Sequence, residues 1–198
     1  MDSTYHHGAL RDALLTEGRR LLVEGGPEAV TLRELARRTG VSHAAPSRHF
    51  ADRDALLAAL AAEGFDELTG RLRESARRER LEDRLREYAH AHVDFAIVNG
   101  PLVALMFGRA TRPGDPDADA AARFYALGAE MLGEAPGVPV GAMPYVLAGT
   151  LEGIGALVVA GRLAPERVAD VVDEAVAMLL PRVREQLDRR AASAGSDV

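Results

Sequence analysis

Apolar residues recur three or four positions apart along most of this chain, and no stretch alternates apolar and polar residues as β-strands do. Leu14, Leu21 and Leu22, for example, fall on one side of a first helix that the following Gly-Gly-Pro sequence would end. The pattern predicts an all-α protein. It indicates about nine helices, at residues 9–24, 31–39, 42–49, 52–78, 82–98, 102–107, 117–133, 143–160 and 165–190.

Residues 31–50 carry the strongest local signals. Thr31 can cap a helix start, and Glu34 three residues later completes the capping-box pattern. Gly40 stands where a left-handed residue would end that helix, and Ser42 can cap a second one. The stretch therefore predicts two short helices joined by a tight turn.

The second of these helices carries polar side chains and few large apolar ones, as a helix facing away from the protein would. In a helix-turn-helix such a helix enters the major groove of DNA, where side chains contact base edges and phosphates. Arg48 can donate to guanine or phosphate, and His43 and Ser47 can donate or accept. Ala44 and Ala45 allow close approach to a thymine methyl group. The alternative is a purely structural helix pair, which is common in helical proteins.

The surrounding sequence resembles the TetR family of bacterial transcription regulators. The resemblance lies in residues 29–42 and 49–57, which read AVTLRELARRTGVS and HFADRDALL. It implies DNA binding by the helix-turn-helix, and it places Arg53 where the family holds a basic residue on a phosphate. We predict that the DNA-contacting residues are Thr31, Arg33, Ser42, His43, Ala44, Ala45, Ser47, Arg48, His49 and Arg53.

Two residues depart from the family pattern. Ser47 stands where family members usually carry a tyrosine that contacts the DNA backbone. Pro46 lies inside the predicted recognition helix, where it lacks an amide donor and should tighten or delay the helix start. Both departures bear on the operator sequence and on the strength of binding.

The formal net charge of −6 argues at first against a nucleic-acid partner, but the charge is unevenly distributed. Residues 1–50 hold seven arginines against six carboxylates, so the acidic excess lies in the rest of the chain. A relatively basic N-terminal part would meet phosphates. The chain has no cysteine, which excludes disulfides and thiolate metal sites, and no residue spacing predicts a metal, a cofactor or a catalytic site.

Two stretches bear on location. Residues 1–11 are polar and lack the apolar segment of a secretion signal. Residues 142–161 carry Glu152 as their only charge, but Pro144, several glycines and mostly small apolar residues favour a buried helix over a membrane span. We expect a cytoplasmic protein with no membrane partner.

The last two predicted helices carry apolar stripes suited to helix pairing. The first has a stripe of small residues that would let another helix approach closely, and the second has a matching apolar row. The family resemblance implies that both helices pair with their copies in a homodimer, whose twofold axis would suit a palindromic operator. The alternative is a core within one chain, and both can hold on different faces. The predicted dimer residues are Gly149, Gly153, Ala156, Ala160, Val168, Val172, Ala175, Leu179 and Val183.

The resemblance also implies a small-molecule effector, of unknown identity, inside the C-terminal bundle. Candidate lining residues combine apolar walls with a few polar groups, although a residue of this kind is by itself more often part of the core. They are Tyr88, His92, Phe95, Met106, Phe107, Phe124, Tyr125 and Glu152. Glu152 is the sharpest candidate, since a carboxylate on an apolar helix must be paired, protonated or exposed at an interface. It could receive a cationic ligand or bond an arginine across the dimer.

These observations favour a ligand-responsive repressor, with a DNA-binding domain at residues 1–52 and an effector-binding and dimerisation domain at residues 53–198. In that hypothesis an effector moves the long helix that follows residue 52, and with it the recognition helix. One alternative is a helical small-molecule-binding protein or an enzyme that uses the same cavity, with Glu152 or His92 as acid or base. No set of nucleophile, base and orienting residue supports it. Another alternative is a regulator that senses a protein partner or no ligand.

Overall fold

The computed structural model describes residues 3–134 and 139–194, with side chains within residues 9–75, 77–134 and 139–189. All regular structure in these residues is helical, which confirms the predicted all-α class. The α-helices are α1 (Ser3–Ala29), α2 (Leu32–Thr39), α3 (Arg53–Leu72), α4 (Leu81–Val98), α5 (Gly100–Gly108), α6 (Pro116–Met131), α7 (Ala142–Val159) and α8 (Val168–Ala194). Single 3₁₀ turns occupy Pro46–Arg48, Ser75–Arg77 and Pro165–Arg167.

Helix α1 is interrupted where the sequence predicts its end. Gly25 and Gly26 leave helical geometry, and Gly26 has a φ of 68°, a value that favours glycine. Pro27 then begins one further turn, in which its carbonyl oxygen accepts from the Val30 amide at 3.1 Å. The break separates the body of α1 from the short connection to α2.

Both ends of α2 form as the local sequence predicts. Thr31 Oγ1 accepts a hydrogen bond from the Glu34 amide at 3.2 Å. Gly40 has a φ of 70°, and its N–H donates to the carbonyl oxygen of Ala36. The Glu34 carboxylate accepts from two arginines of α2 instead of completing the capping box. Local residue chemistry therefore fixes where this helix begins and ends.

The chain divides into two compact units. The first comprises residues 1–66 and 101–121, and so contains α1, α2, most of α3, nearly all of α5 and the start of α6. Leucines such as Leu14 and Leu35 form its core. Gly64 of α3 is buried against α5, where an added Cβ would lie 2.5 Å from Met106 Sδ. The two helices therefore approach more closely than a larger residue would permit.

The second unit comprises residues 67–100 and 122–198, with α4, α7, α8 and the remaining parts of α3 and α6. Helix α4 packs against both α7 and α8. Gly155 allows the approach of α7, since an added Cβ would lie 2.7 Å from the Cβ of Ala96. Helices α3 and α6 each contribute residues to both units.

Helix α3 is shorter than predicted, because it ends at Leu72 and not near residue 78. The Ser75 hydroxyl donates to the carbonyl oxygen of Leu72, an acceptor that a continuing helix would offer to the amide of residue 76. A 3₁₀ turn follows instead. The boundary predicted at residue 52, between a DNA-binding and an effector-binding domain, stays a prediction.

Candidate nucleic-acid interface and effector site

The α2–α3 segment, residues 41–52, contains no α-helix. The Ser42 carbonyl oxygen accepts from the Ala45 amide at 2.9 Å, which closes a four-residue turn. In an α-helix that oxygen would accept from residue 46, but Pro46 has no N–H. The α-helix predicted here is therefore wrong in type, and the 3₁₀ turn Pro46–Arg48 takes its place.

Pro46 and Phe50 anchor the α2–α3 segment from the inside. Both are buried, and the Phe50 amide donates to the carbonyl oxygen of Pro46 at 3.0 Å. The residues between and before them face solvent to different degrees. Ser42, His43, Ala44, Ser47 and Arg48 are exposed, while Ala45 and His49 are half-buried. His43 also lines a shallow groove with Leu32 and Arg33 of α2.

The arginines of α2 fall into two groups. Arg37 donates to Glu34 at 2.6 Å and 2.8 Å, and Arg38 lies between three carboxylates. Hydrogen bonds from both guanidinium groups lower the pKa of Glu34 to about 2. Arg33 of α2 and Arg48 of the α2–α3 segment are exposed, and neither has a carboxylate partner among the side chains that the structure describes. These two cations are available to an external anion.

Two predicted DNA contacts are used inside the protein. The Thr31 hydroxyl oxygen caps α2. Arg53 donates to the carbonyl oxygens of Val30 at 3.0 Å and Pro27 at 2.6 Å, and it lies 3.3 Å from the Glu28 carboxylate. Arg53 therefore fastens the start of α3 to the connection before α2. The sequence does not reveal this role, because the acceptors are main-chain atoms of residues distant in the chain.

Five rings of the second unit form a continuous series that we call the aromatic row. The ring centres of Tyr88 and His92 are 6.2 Å apart, and those of His92 and Phe124 are 5.8 Å apart. Phe124 and Tyr125 are separated by 5.0 Å, and Tyr125 and Tyr145 by 4.3 Å. The row runs from the buried Tyr88 to the exposed Tyr145. It joins four predicted lining residues with one, Tyr145, that the sequence analysis missed.

Burial sets the protonation of the polar groups around this row. It lowers the pKa of His92 to about 4, so the imidazole is neutral at pH 7, and it raises the pKa of Tyr88. It also raises the pKa of Glu152 to about 7, and Glu152 Oε2 is buried without a hydrogen-bond partner in the described part of the chain. Burial first, then the nearby Tyr145 and Glu152, raises the pKa of Tyr125. Glu152 therefore lies near the exposed end of the row. Tyr145 precedes Glu152 by about two helical turns on α7, so this spacing could have identified Tyr145 as a lining residue from the sequence.

Three further predicted lining residues lie outside the aromatic row. Phe95 is fully buried, and the guanidinium carbon of Arg71 lies 5.2 Å from its ring centre. Met106 and Phe107 belong to the first unit. Met106 packs at Gly64, and the Phe107 ring meets Phe65 edge-on at 5.1 Å between centres. Phe95 and Met106 are therefore core residues, and Phe107 is half-buried at the edge of the first unit's core.

The predicted dimer residues divide between two environments. The small residues Gly149, Gly153 and Ala156 of α7 and Ala160 directly after it are all exposed. The apolar side chains Tyr145, Val146, Leu157 and Val159 are exposed on the same helix. On α8 the structure buries Val172, Ala175 and Val183 within the chain and half-buries Val168 and Leu179. The α8 row therefore belongs largely to the intrachain core, whereas α7 leaves an apolar face open.

The composition of α7 and the placement of histidine and carboxylate side chains bear on membranes and metals. Helix α7 is on its own long and apolar enough to cross a membrane, with a mean hydropathy of 1.5 over residues 142–159. A third of that stretch is buried inside the protein, and core helices of soluble proteins commonly have this composition. Across the described residues, no three histidine or carboxylate side chains come together as a metal site would require.

Comparison with known proteins gives consistent matches. A sequence model described as bacterial regulatory proteins, tetR family, matches residues 14–60. The structure of a protein of unknown function from Rhodococcus sp. RHA1 is 36% identical, with a TM-score of 0.74 over 89% of this chain and 96% of that one. The TetR-family transcriptional regulator PfmR from Thermus thermophilus is 20% identical, with a TM-score of 0.63 over 85% and 97%. The fatty acid degradation regulator FadR from Bacillus halodurans is 14% identical, with a TM-score of 0.65 over 86% and 94%. No curated protein sequence matches the chain.

Proposed function

The chain belongs to the TetR family and is a DNA-binding transcriptional regulator, and from this premise we propose that it is a cytoplasmic repressor that binds a palindromic operator as a homodimer. A small molecule bound in the second unit would release it from DNA. In this proposal residues 1–52 form the DNA-binding domain, and residues 53–198 form the effector-binding and dimerisation domain.

The observation that carries the proposal is the state of Arg33 and Arg48, which are exposed and lack a carboxylate partner in the part of the chain that the structure describes. Arg37 and Arg38 are already paired, so a phosphate would compete there with existing bonds. At Arg33 and Arg48 a phosphate would meet an uncompensated charge. Arginine–phosphate contacts supply affinity and set the register of a protein on DNA. In this proposal the exposed His43 would contact base edges.

The open face of α7 supports the homodimer. Gly149 and Gly153 have open space where a Cβ would stand, so a second helix can approach their backbone closely. Exposed Leu157 and Val159 extend the apolar area, and contiguous apolar surface of this kind marks an interaction site. A twofold dimer presents two identical α2–α3 segments, which is the symmetry of a palindromic operator.

The effector site that we propose is the aromatic row together with Glu152. The rings supply apolar walls, and the carboxylate supplies a polar group whose Oε2 has no bonding partner within the described residues. A cationic ligand would provide that partner, and so would an arginine of a second subunit. Since an effector that weakens operator binding must itself bind more weakly in the presence of operator, the two affinities are linked reciprocally.

Selection of genomic DNA fragments by the purified protein tests this function. Arg48→Ala is the test variant, and Arg37→Ala is the matched control, since Arg37 is also an exposed arginine but is paired with Glu34. We expect the wild type and Arg37→Ala to enrich one palindrome at a defined salt concentration, and Arg48→Ala to enrich it poorly.

The salt dependence identifies the contact that Arg48 makes. Loss of one phosphate contact per subunit should reduce the slope of log affinity against log salt by about 2 per dimer. A small-molecule-binding protein or an enzyme that does not use DNA would enrich nothing even at low salt, and that result would reject the proposed function.

A further inference from the structure

Arg109 stands at the centre of an ion cluster in the first unit. Its Nη2 lies 2.9 Å from Asp54 Oδ2, and its Nη1 lies 2.9 Å from Asp117 Oδ2 and 3.3 Å from Asp115 Oδ2. The Arg109 side chain is 9% exposed. We call these four residues the Arg109 cluster. Three carboxylates therefore share one nearly buried guanidinium group.

The Arg109 cluster joins the starts of two helices. Asp54 lies in the first turn of α3, directly after the α2–α3 segment, and Asp117 lies in the first turn of α6. Asp115 precedes α6, and its Oδ2 accepts from the Arg112 amide at 3.0 Å, which orders the loop between α5 and α6. One guanidinium group therefore connects the start of α3 with the start of α6.

The contacts of Arg109 differ in how readily they break. Asp117 is fully buried, and its Oδ1 has no hydrogen-bond partner in the described part of the chain. Withdrawal of Arg109 would leave a buried charge uncompensated, which is strongly unfavourable. Asp54 is 52% exposed, so water can replace its bond to Arg109 at little cost. The Arg109–Asp117 pair is therefore fixed, and the Arg109–Asp54 pair can open.

Helix α6 leads from this cluster to the aromatic row. Its residues up to 121 belong to the first unit, and its later residues, which include Phe124 and Tyr125, belong to the second. Eight residues separate Asp117 from Tyr125, or about 12 Å along a helix. A ligand that displaces these rings therefore acts on the same helix that holds Arg109 through Asp117.

We propose that the Arg109–Asp54 ion pair is the contact through which the effector site controls the α2–α3 segment. The inference rests on the proposed function and names the regulatory contact within it. While α6 keeps its place, Arg109 holds the start of α3. When a ligand shifts α6, Arg109 stays with Asp117, and Asp54 is released to water. Arg109 is a positioning residue, and this route differs from a pull on the far end of α3.

Because coupling between two sites is reciprocal, operator binding must in turn act on α6, and the test needs no effector. The probe is the operator duplex obtained by the selection above. Amide hydrogen exchange of residues 116–131 is measured with and without the duplex for the wild type, Asp54→Asn, Asp54→Glu and Arg112→Gln. Arg112 is the matched control, since its Nη1 also approaches Asp54, at 3.6 Å, but its side chain is 79% exposed.

We expect the duplex to slow exchange of residues 116–131 by at least about fivefold in the wild type. Asp54→Glu, which keeps the charge, and Arg112→Gln should retain this effect. In Asp54→Asn the ratio of rates with and without duplex should fall to near one, while the variant still binds the duplex. Asp54→Asn leaves the buried Arg109–Asp117 pair in place, so its melting temperature should stay near that of the wild type.

The outcomes separate this inference from the function on which it rests. If Asp54→Asn keeps the full effect of the duplex on residues 116–131, or if the bound wild type shows none, the inference is overturned and the regulator function stands. If the role of Asp54 is purely structural, Asp54→Asn will have a lower melting temperature than the wild type and an unchanged exchange ratio. That result would also overturn the inference. If the wild type selects no operator, the proposed function fails first.

Discussion

Replacing Glu152 by glutamine should stabilise the protein at about pH 8 and leave its stability unchanged near pH 4.5. Burial raises the pKa of Glu152 from 4.5 to about 7 on folding, so between these pH values the folded state holds a proton that the unfolded state has lost. The free energy of unfolding therefore falls as pH rises from 4.5 to about 7, and it stays low above that range. Because glutamine cannot ionise, the Glu152→Gln variant should not lose this stability as the pH rises.

The size of the effect follows from the difference in pKa. At full burial it would correspond to about 3 kcal/mol, since one pKa unit is about 1.4 kcal/mol. Glu152 is only partly buried, so solvent screening reduces the figure, and we expect a gain of about 1–2 kcal/mol. His92 acts in the opposite direction, because burial lowers its pKa from 6.5 to about 4 and stability therefore rises with pH between these values. In the wild type, the effects of Glu152 and His92 on the pH dependence of stability oppose each other. In Glu152→Gln only the effect of His92 remains, so stability should rise with pH between about 4 and 6.5.

Urea denaturation at both pH values measures the free energy of unfolding and its denaturant slope. Glu130→Gln is the matched control, because Glu130 is an exposed carboxylate on α6. If Glu152→Gln is less stable than the wild type at the higher pH, the carboxylate has a cationic partner in the assembled protein, such as an arginine of a second subunit. The desolvation argument would then be refuted. Equal stabilisation at both pH values would show that packing, and not charge, is responsible.

Substitutions at three glycines provide the remaining predictions. Gly64→Ala should lower the free energy of unfolding by about 1–3 kcal/mol, because its Cβ would lie 2.5 Å from Met106 Sδ. Gly70→Ala on the same helix has open space and should raise it by about 0.5–1 kcal/mol, so equal shifts of the two thermal melts would contradict the packing argument. Gly153→Glu, on the open face of α7, should produce monomers in sedimentation velocity with helix content unchanged by circular dichroism. A variant that stays dimeric would place the interface elsewhere.

The sequence predicted features that depend on one residue and its near neighbours. Helix α1 breaks at the Gly-Gly-Pro sequence as predicted, Gly40 has the positive φ that its position suggests, and Thr31 caps α2. In each case the conformational preference belongs to the residue itself, so no distant partner is needed. Pro46 gave an equally local signal against an α-helix. The prediction that Pro46 would tighten or delay the helix agrees with the 3₁₀ turn at Pro46–Arg48, whereas the α-helix predicted from the Ser42 cap does not form.

The sequence could not predict contacts that depend on which distant elements meet. Met106 has an apolar side chain of the kind that lines ligand pockets, yet it packs against α3 in the first unit. Val172 lies on an apolar stripe, but periodicity alone does not say whether the same chain or a second copy covers that stripe. Arg109 joins Asp54 to Asp117 across a long separation in the chain, so no local pattern marks it.

The first unit is built from two separated pieces of chain, residues 1–66 and 101–121, and this order has a consequence during synthesis. The ribosome releases α1, α2 and most of α3 before it makes Met106, which packs at Gly64. Part of this core therefore stays exposed to water on the nascent chain until residues 101–121 have been translated. The first unit is therefore complete only after helix α4 of the other unit has been synthesised, and a chain that terminates before Met106 would lack part of the core around Gly64.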